Sequence, residues 1–463
     1  MKLRRKVGVA IALAAMVAPI STSMVHAGTA IDGTGATFPA NIIDICAAQY
    51  NRSTVNNTAG DTVAYVTPTG SGGGKTAFTN QTKVWAATDS AYSSGAPSFG
   101  YVYVPLISGA ISVMYRLDGV SPANATVRLS PTTVGKIFSG QIKMWNDPAI
   151  AADNKAKTIA ATKKASKNGL VVSVAKVGNK LTFTGTANAA ALKKFRGKKV
   201  VIVRTSKSGV KTQVFSKAIA AKMTLSLGYQ KGATYAIKAG VTSIGSVGTD
   251  SSVDGVTLSL PSTVIKVAYR SGTSGTTNNF TNFLNKAVGG IWTNAANDSF
   301  TTAFPGGSSA VPADGTFQSA SGSDGVANYV VSNNGSITYT ELSYVEERKS
   351  ATIKSALIGN NAGKYVAPSS AATGAFYAEA AVAENGLVTP DYTVAAADAY
   401  LINAISYGLG ATANSTSNTA VKSWFNYFIN KCAPASAAGA FYAPLAGSLL
   451  TKSLAQVAKV SAS

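Results

Sequence analysis

Imidazole is almost absent from this chain of 463 residues, since its only histidine is His26. That residue lies in an N-terminal stretch that we expect to be removed during export. Without an imidazole, the Ser-His-Asp and Cys-His types of catalysis are excluded, as are metal sites built on histidine. No nucleophile and base stand together elsewhere, which argues against a secreted phosphatase. The sequence therefore predicts a protein that is not an enzyme and that has no metal or other cofactor.

Cysteine is nearly as scarce, with Cys46 and Cys432 as the only two. In an exported protein two cysteines can form a disulfide, or they can remain as two buried thiols, and the oxidising compartment favours the disulfide. No cysteine precedes Cys46, so the chain lacks the residue that a lipoprotein anchor would need.

The N-terminal residues have the pattern of an export signal. Basic residues at 2–6 are followed by an apolar run from Val7 to Ile20 and by Val25-His26-Ala27, with small residues where a signal peptidase reads. The apolar run is too short for a good membrane span. We predict a signal peptide over 1–27 and a protein that is secreted, extracellular or associated with the cell wall.

Acidic residues are missing from one internal segment. Residues 155–250 hold 19 basic residues and a single acid, Asp250, whereas the remaining chain after residue 27 has 18 residues of each sign. The whole positive excess of the exported protein therefore lies in one segment. A shift this sharp predicts a domain boundary.

The stretch from Arg270 to Thr277 joins a fixed cation to small hydroxyl residues, glycines and the start of an amphipathic helix. Glycine lets the backbone approach a ligand, and Ser274 can cap the helix. Free N–H groups at a helix start favour an anion, and the guanidinium of Arg270 matches two oxygens of a tetrahedral oxyanion. The stretch predicts an anion site, or else an ordinary glycine- and serine-rich loop before a helix.

Two similar turns occur earlier in the chain. The segment 31–39 predicts a short strand and a glycine turn, with Thr37 at the start of a helix whose apolar positions follow at helical spacing. A second turn at 70–76 places Ser71 at another helix start. Its Gly74-Lys75-Thr76 resembles a nucleotide-binding loop, but the required earlier glycine is Thr69, so that motif fails.

The segment 84–90 predicts a buried strand that ends in Asp89. A carboxylate beside an anion site is electrostatically unfavourable unless the anion carries a proton. A protonated phosphate does, and sulfate at neutral pH does not. Asp89 could otherwise be a solvated loop residue or a helix cap.

These motifs together resemble the phosphate-binding proteins of bacterial phosphate ABC importers. The matching stretches occur in the family's order, and the similarity covers most of 29–153 and 255–345 and, more loosely, the C-terminal tail. They include Gly33–Ala40, Gly70–Gly73, Ala87–Asp89, Ser108–Val113, Leu129–Pro148, Arg270–Thr277, Ser323–Val326 and Gly335–Tyr344.

The resemblance implies an α/β, two-lobed fold of the type II periplasmic-binding-protein class, closing on one phosphate. It implies phosphate ligation by the residues that match the family's site: Thr37, Phe38 (through its backbone), Ser71, Asp89, Arg270, Ser274, Gly275 and Thr276. Relatives often carry an acid two residues after the arginine that helps to hold it, and this chain has Gly272 there.

By the same resemblance, lobe one consists of 28–109 and 345–463, and lobe two of 110–154 and 255–344. The basic segment 155–254 interrupts lobe two at flanks that are near neighbours in relatives. Short apolar strands within it, including 171–174 and 181–184 around a Gly178-Asn179 turn, predict a small immunoglobulin-like β-sandwich. In the tail, 396–407 and 421–428 have helical patterns.

The functional expectation is an exported receptor that captures inorganic phosphate for ABC-type import. Its expected partners are phosphate, the importer's membrane complex and, through 155–250, an anionic cell-wall polymer. We expect a monomer. The alternative is a wall-associated adhesin or polymer-binding protein that reuses the fold.

Overall fold

The computed structural model of the protein describes residues 28–159, 161–250, 252–254 and 256–463. The predicted signal peptide, 1–27, lies outside the described residues. Among the residues that are described, no helix is long and apolar enough to cross a membrane.

The described chain alternates between strands and helices in its first and last thirds and is almost all β in between. The strands are β1 (Ala30–Gly35), β2 (Thr62–Tyr65), β3 (Trp85–Thr88), β4 (Tyr101–Arg116), β5 (Arg128–Leu129), β6 (Lys157–Ile159), β7 (Lys164–Lys167), β8 (Leu170–Val177), β9 (Lys180–Ala187), β10 (Lys199–Thr205), β11 (Lys211–Ala218), β12 (Lys222–Gly228), β13 (Thr234–Ala239), β14 (Thr242–Val247), β15 (Ser252–Asp254), β16 (Lys266–Arg270), β17 (Phe317–Ala320), β18 (Ser336–Glu341), β19 (Ile353–Ser355), β20 (Leu357–Gly359), β21 (Tyr365–Val366), β22 (Ala381–Val382), β23 (Val388–Thr389), β24 (Asn403–Ala411) and β25 (Tyr442–Ala443). The α-helices are α1 (Ala40–Asn51), α2 (Ser71–Thr79), α3 (Pro131–Phe138), α4 (Pro148–Asp153), α5 (Ala189–Lys194), α6 (Gly275–Ala287), α7 (Phe300–Ala303), α8 (Gly322–Ser332), α9 (Leu342–Glu346), α10 (Ser370–Tyr377), α11 (Thr416–Tyr427), α12 (Ala433–Ser436) and α13 (Gly447–Lys459).

One ten-stranded sheet organises the protein. Its order is β17-β16-β18-β4-β24-β3-β1-β2, with β19 and β25 also paired to β4. The 16-residue strand β4 lies in the middle of the sheet and joins its two parts. It pairs with β24 as far as Ala110 and with β18 from Ile111 onward. We call the part containing β1, β2, β3 and β24 the first half-sheet, and the part containing β16, β17 and β18 the second half-sheet.

Local sequence explains these elements well near the N-terminus. In α1, Ile42, Ile43, Cys46 and Tyr50 recur at helical spacing, and all four side chains are buried. The four residues of β3 are buried on both faces, as expected for a central strand. Cys46 forms a disulfide with Cys432 across 386 residues of chain, so the expected pairing is confirmed.

The tail contains one wrong prediction. Residues 396–407 do not form a helix; their C-terminal part enters β24, which lies between β3 and β4 with eight of its nine residues buried. A short apolar run that is buried on both faces has no alternation to reveal a strand, which explains the error. The second tail pattern is helical as expected, since α11 spans Thr416–Tyr427 and a π-helical turn follows over Phe428–Cys432.

The basic segment is β-structured, as predicted. Strands β7–β14 form two four-stranded sheets, β12-β9-β8-β7 and β11-β10-β13-β14, around a separate apolar core that includes Leu170, Phe183, Ile202 and Tyr235. We call residues 161–250 the insert. Its flanks are close together, since the Leu258 N–H donates to the Asn154 carbonyl at 3.0 Å and β6 pairs with β15.

The strand order of the insert differs from that of an immunoglobulin domain. In an immunoglobulin sandwich the second and third strands lie in different sheets. Here the second and third strands, β8 and β9, form a hairpin within one sheet because the Gly178-Asn179 turn joins them directly. The expectation of a sandwich therefore holds, and the immunoglobulin-like topology is corrected.

Candidate functional site

The residues predicted to bind an anion lie at the carboxyl ends of strands in both half-sheets. In the first half-sheet, Thr37 and Phe38 follow β1, Ser71 begins α2 after β2, and Asp89 follows β3. In the second half-sheet, Arg270 ends β16 and the stretch 274–276 begins α6. This edge is where open α/β sheets bind ligands.

The two groups of residues meet through Gly275. A Cβ placed on Gly275 would lie 2.4 Å from Ser71 Oγ and 2.6 Å from the Cβ of Asp89, so only glycine fits at this contact. Asn279 of α6 also reaches across, donating from Nδ2 to the Asp89 carbonyl at 2.6 Å. The structure therefore brings the predicted residues of both half-sheets into one site.

Arg270 is only 5 % exposed, although it carries a full charge. Its Nη1 donates to Ser323 Oγ at 3.1 Å. Within the described parts of the chain, its buried Nε has no hydrogen-bond partner, and Arg270 makes no ion pair with a carboxylate. Nothing lies within 4 Å of a Cβ placed on Gly272, the position where relatives often carry an acid. A buried cation in this state favours an anionic ligand, since an unpaired buried charge is costly.

Ser323 and Glu341 join this site, although the sequence analysis did not select either as a ligand-binding residue. Ser323 Oγ donates to Glu341 Oε1 at 2.9 Å and lies 2.9 Å from Thr37 Oγ1. Because a hydroxyl has only one proton to donate, Ser323 accepts from both Arg270 and Thr37. It therefore links the first half-sheet to the arginine of the second.

Glu341 lies at the end of β18 and is buried. Its carboxylate accepts hydrogen bonds from three hydroxyls, those of Thr276 at 3.1 Å, Ser323 at 2.9 Å and Thr340 at 3.0 Å. These bonds compensate for its burial. The Thr276 hydroxyl is therefore engaged with Glu341, while the backbone N–H groups at the start of α6 have no intrahelical acceptors.

The remaining predicted residues occupy the following positions. Ser274 caps α6, accepting from the Thr277 N–H at 3.3 Å, so its own hydroxyl proton stays available to a ligand. The ring of Phe38 is buried against Tyr442, and the Phe38 carbonyl accepts from the Tyr442 hydroxyl at 2.6 Å. The ring of Phe38 therefore points away from the site, and only its backbone N–H remains to face it.

Asp89 is the titratable group with the clearest perturbation at the site. Burial raises its pKa to about 7; the Ser406 hydroxyl, which donates to Oδ1, acts in the opposite direction. The Glu341 carboxylate raises the pKa further and the Arg270 guanidinium lowers it. The carboxyl group can therefore accept a proton near neutral pH, which suits it to exchange a proton with a ligand.

A second contact between the half-sheets lies beside the first. Lys75 of α2 pairs with Asp298 at 2.8 Å, with side chains only 11 % and 15 % exposed, and Lys75 also donates to Ser90 Oγ at 3.1 Å and to the Ala91 carbonyl at 2.9 Å. We call the Lys75–Asp298 pair the clasp. It lines a cleft of about 840 Å³ that Arg270 and Asp89 do not line. The lysine of the failed nucleotide-binding motif thus has a structural partner.

No group of histidine, cysteine or acidic side chains in the part of the chain that the structure describes is arranged to hold a metal ion. The arrangement of hydroxyls, helix starts and one arginine is of a kind that can bind an anion.

The sequence matches the PBP superfamily domain over residues 22–259 and 250–431. The chain belongs to the PBP superfamily. The match is to non-enzymatic binding proteins, in agreement with the expectation that the chain is not an enzyme.

Curated relatives within the superfamily match in parts. The phosphate-binding protein PstS of Xylella fastidiosa is 37 % identical over 112 residues, which is 24 % of this chain and 27 % of that protein. The phosphate-binding protein PstS 2 of Mycobacterium tuberculosis is 30 % identical over 156 residues, covering 31 % and 39 % of the two chains. The chain thus matches well under half of the length of these relatives.

Structural similarity to solved proteins extends over most of the chain. A high-affinity periplasmic phosphate-binding protein named PfluDING, solved with phosphate, has a TM-score of 0.55 at 19 % identity and covers 92 % of this chain and 93 % of its own. A phosphate-binding protein from Stenotrophomonas maltophilia gives 0.50 at 16 % identity, with 92 % and 93 % coverage. At these identities the likeness establishes the fold: a mixed α/β binding-protein fold with additional antiparallel β-sheets.

Proposed function

We propose that the protein is an exported solute-binding protein that captures inorganic phosphate for ABC-type import. The observation that carries the proposal is the buried guanidinium of Arg270, which has no carboxylate partner among the described residues and lies with the starts of two helices and several hydroxyls. The relatives named as phosphate-binding proteins support the same conclusion.

In this proposal seven residues hold the ligand in three roles, and an eighth, Asp89, accepts its proton. Thr37, Ser71 and Ser274 offer hydroxyls, Phe38, Gly275 and Thr276 offer backbone N–H groups, and Arg270 supplies the fixed charge. To donate to the ligand, the hydroxyls of Thr37, Ser71 and Thr276 would have to leave their present acceptors, which are Ser323, Asp89 and Glu341 respectively. Charge-assisted hydrogen bonds contribute about 1.5–3 kcal/mol each before costs, and micromolar affinity needs about 8 kcal/mol. This number of donors therefore suffices without a metal.

Asp89 gives the proposed site its specificity. When ionised, it accepts the hydrogen of a protonated phosphate, whereas fully ionised sulfate has no hydrogen to offer. A buried carboxylate facing an oxyanion without that hydrogen bond carries a large penalty. The raised pKa of Asp89 makes this selectivity dependent on pH.

We further propose that the half-sheets belong to two lobes, 28–109 with 345–463 and 110–344, which close on the phosphate as hinged binding proteins do. The contact at Gly275 and the clasp would then form on closure. The insert, within 155–254, adds a second partner, an anionic cell-wall polymer that keeps the receptor at the cell.

The alternative function is a wall-associated adhesin or polymer-binding protein. The observation that favours it is the charge of residues 155–250, which supply the entire positive excess after residue 27. In the receptor proposal the same positive charge has only a secondary role, which is to keep the receptor at the cell. Phosphate binding therefore decides between the two functions.

The test is calorimetry of the purified protein with phosphate. We expect one phosphate per chain, and Arg270→Ala should weaken binding by about 100-fold or more, because a buried charged partner is removed. Arg128→Ala, which removes an arginine bonded to the Val256 carbonyl away from the site, is the matched control and should bind like wild type. A folded wild-type protein that shows neither heat nor a melting shift with phosphate contradicts the receptor function.

A further inference from the structure

Basic residues occur along the whole insert, and they are densest in residues 193–199, where five of the 17 lie. Its entry and exit meet where Gly248 N–H donates to the Thr162 carbonyl, and we call this the junction end. The opposite end, which we call the distal end, is formed by α5, by the starts of β8, β10 and β12, and by the ends of β7, β9, β11 and β13. Strand registers define it, because Leu170 pairs with Ala187, Lys199 with Ala218 and Lys222 with Thr186.

Nine of the 17 basic residues of the insert lie at the distal end, and all nine are exposed. They are Lys167, Lys193, Lys194, Arg196, Lys198, Lys199, Lys217, Lys222 and Lys238. No acidic residue accompanies them. The single acid of the insert, Asp250, lies at the junction end, where it accepts from the Tyr229 hydroxyl at 2.8 Å and from the Gly232 N–H.

Among the described residues, these nine cations have no ion-pair partner. Across the described residues, no ion pair includes a side chain of the insert, and no hydrogen bond joins 161–250 to the rest of the chain. Five cations lie within the seven residues 193–199 and four more lie at the same end, so they repel one another, and a protein that needed only solubility would gain by dispersing this cluster. The arrangement favours an external anion that would neutralise several of them at once.

We infer that the distal end of the insert is the docking surface for an anionic cell-wall polymer with phosphodiester groups in its backbone. Eight of its nine cations are lysines, which act as mobile point charges and do not require the bidentate geometry that arginine reads. Such a surface suits a flexible polymer in which each repeating unit carries one negative charge. The inference rests on the proposed second partner of the insert and adds the surface and the chemistry that it recognises.

The experiment compares two variants with equal change in net charge. The distal variant carries Lys193→Gln, Lys194→Gln, Lys198→Gln and Lys199→Gln; the junction variant carries Lys180→Gln, Lys207→Gln, Lys211→Gln and Lys231→Gln. All eight lysines are exposed. Circular dichroism and hydrogen exchange of the insert strands check that both variants fold. The probes are poly(glycerol phosphate) wall polymer and double-stranded DNA, titrated over a range of salt concentrations.

We expect the distal variant to bind the polymer at least about tenfold more weakly than wild type, with the slope of log affinity against log salt reduced by about 3, since four counterion-releasing contacts are lost. The junction variant should stay within about threefold of wild type with the slope unchanged. Equal losses in both variants, or no loss in either, overturn the assignment of the surface. Tighter wild-type binding to DNA than to the polymer overturns the assigned partner.

Phosphate calorimetry on the same samples separates this inference from the receptor function. A wild-type protein that binds phosphate and ignores the polymer overturns the inference and leaves the receptor intact. A wild-type protein that binds the polymer and not phosphate overturns the receptor function and leaves the inference intact.

Discussion

Charged side chains are placed in opposite ways in two regions of the protein. The first region is the body, residues 28–154 and 256–463, and the second is the insert. In the body, Arg270, Asp89 and Glu341 are buried together and held by hydroxyls from distant parts of the chain. In the insert, 16 of the 17 basic residues are exposed, and none of the described ones has an ion-pair partner. Buried charge is costly to position and suits the selection of a small ligand, whereas exposed charge suits a large partner that needs no fixed geometry.

The two regions also differ in their cores. All four tryptophans, Trp85, Trp145, Trp292 and Trp424, are fully buried in the body. The insert has none, and its core is built from aliphatic side chains with Phe183, Phe195 and Tyr235. Tryptophan fluorescence therefore reports unfolding of the body alone, while hydrogen exchange of β8–β13 reports the insert. The predictions below use this separation.

The largest expected effect concerns the proposed selection of phosphate over sulfate by the body. If Asp89 must carry a proton to hold sulfate, wild-type affinity for sulfate should rise about tenfold per pH unit as pH falls from 9 to 7, and level off below the pKa of Asp89, which is about 7. Asp89→Asn, which always offers N–H donors, should bind sulfate about 100-fold more tightly than wild type at pH 9 and nearly equally below pH 6.

Competition calorimetry with phosphate measures both proteins across this range. Ser93→Ala, which changes an exposed residue outside both the proposed ligand set and the clasp, is the control and should keep the wild-type pH profile. A wild-type affinity for sulfate that does not change with pH contradicts the role of Asp89.

The next effect concerns stability. Replacing the disulfide by Cys46→Ala with Cys432→Ala should lower the free energy of unfolding of the body by about 2–5 kcal/mol, because the link between α1 and the C-terminal helices no longer restricts the unfolded chain. The tryptophan-monitored urea transition should move to lower urea. Hydrogen exchange in the insert strands should stay as in wild type, and a parallel loss of protection there would show that the two regions unfold as one unit.

A smaller effect separates a buried ion pair from an exposed one. The clasp, Lys75–Asp298, should show a coupling energy of about 1–3 kcal/mol in a double-mutant cycle with Lys75→Met and Asp298→Asn, since both side chains are largely buried. Phosphate affinity should fall in both single variants because the clasp joins the half-sheets.

The pair Lys83–Asp32, with side chains 27 % and 51 % exposed, is the matched control, and its coupling energy should be within about 1 kcal/mol of zero. Equal couplings for the two pairs would contradict a role for the clasp in closure.

Local motifs in the sequence predicted much of the site. Glycine turns and helix caps at Thr37, Ser71 and Ser274 depend on neighbours along the chain, so they are visible without a structure. Ser323, Glu341 and the clasp were missed because their partners are far away; Lys75 and Asp298 are 223 residues apart in sequence. Only the sheet order brings such residues together.

The fold shows the same division. The hairpin at Gly178-Asn179 was predicted because a turn sequence specifies it locally. The burial of β24 between β3 and β4, which makes 403–411 a strand, depends on long-range pairing that the local helical pattern does not reveal. The topology of the insert was also mispredicted, because alternation predicts strands and not their order in two sheets.

The smallest expected effect concerns the insert alone. Gly178 has φ +56° in the β8–β9 turn, and nothing lies within 4 Å of a Cβ placed on it. The Gly178→Ala side chain therefore meets no neighbour, and the substitution is destabilising only because alanine disfavours the left-handed backbone conformation. That cost is about 1–2 kcal/mol. Protection of the insert strands from hydrogen exchange should fall by this amount, while the tryptophan transition and phosphate affinity should not change.

Gly275→Ala in the body is the contrasting variant. Its Cβ would meet Ser71 and Asp89, so it should weaken phosphate binding strongly. If Gly178→Ala also weakens phosphate binding, the insert and the body are coupled, and the separation between a region that selects a small ligand and one that binds a large partner is wrong.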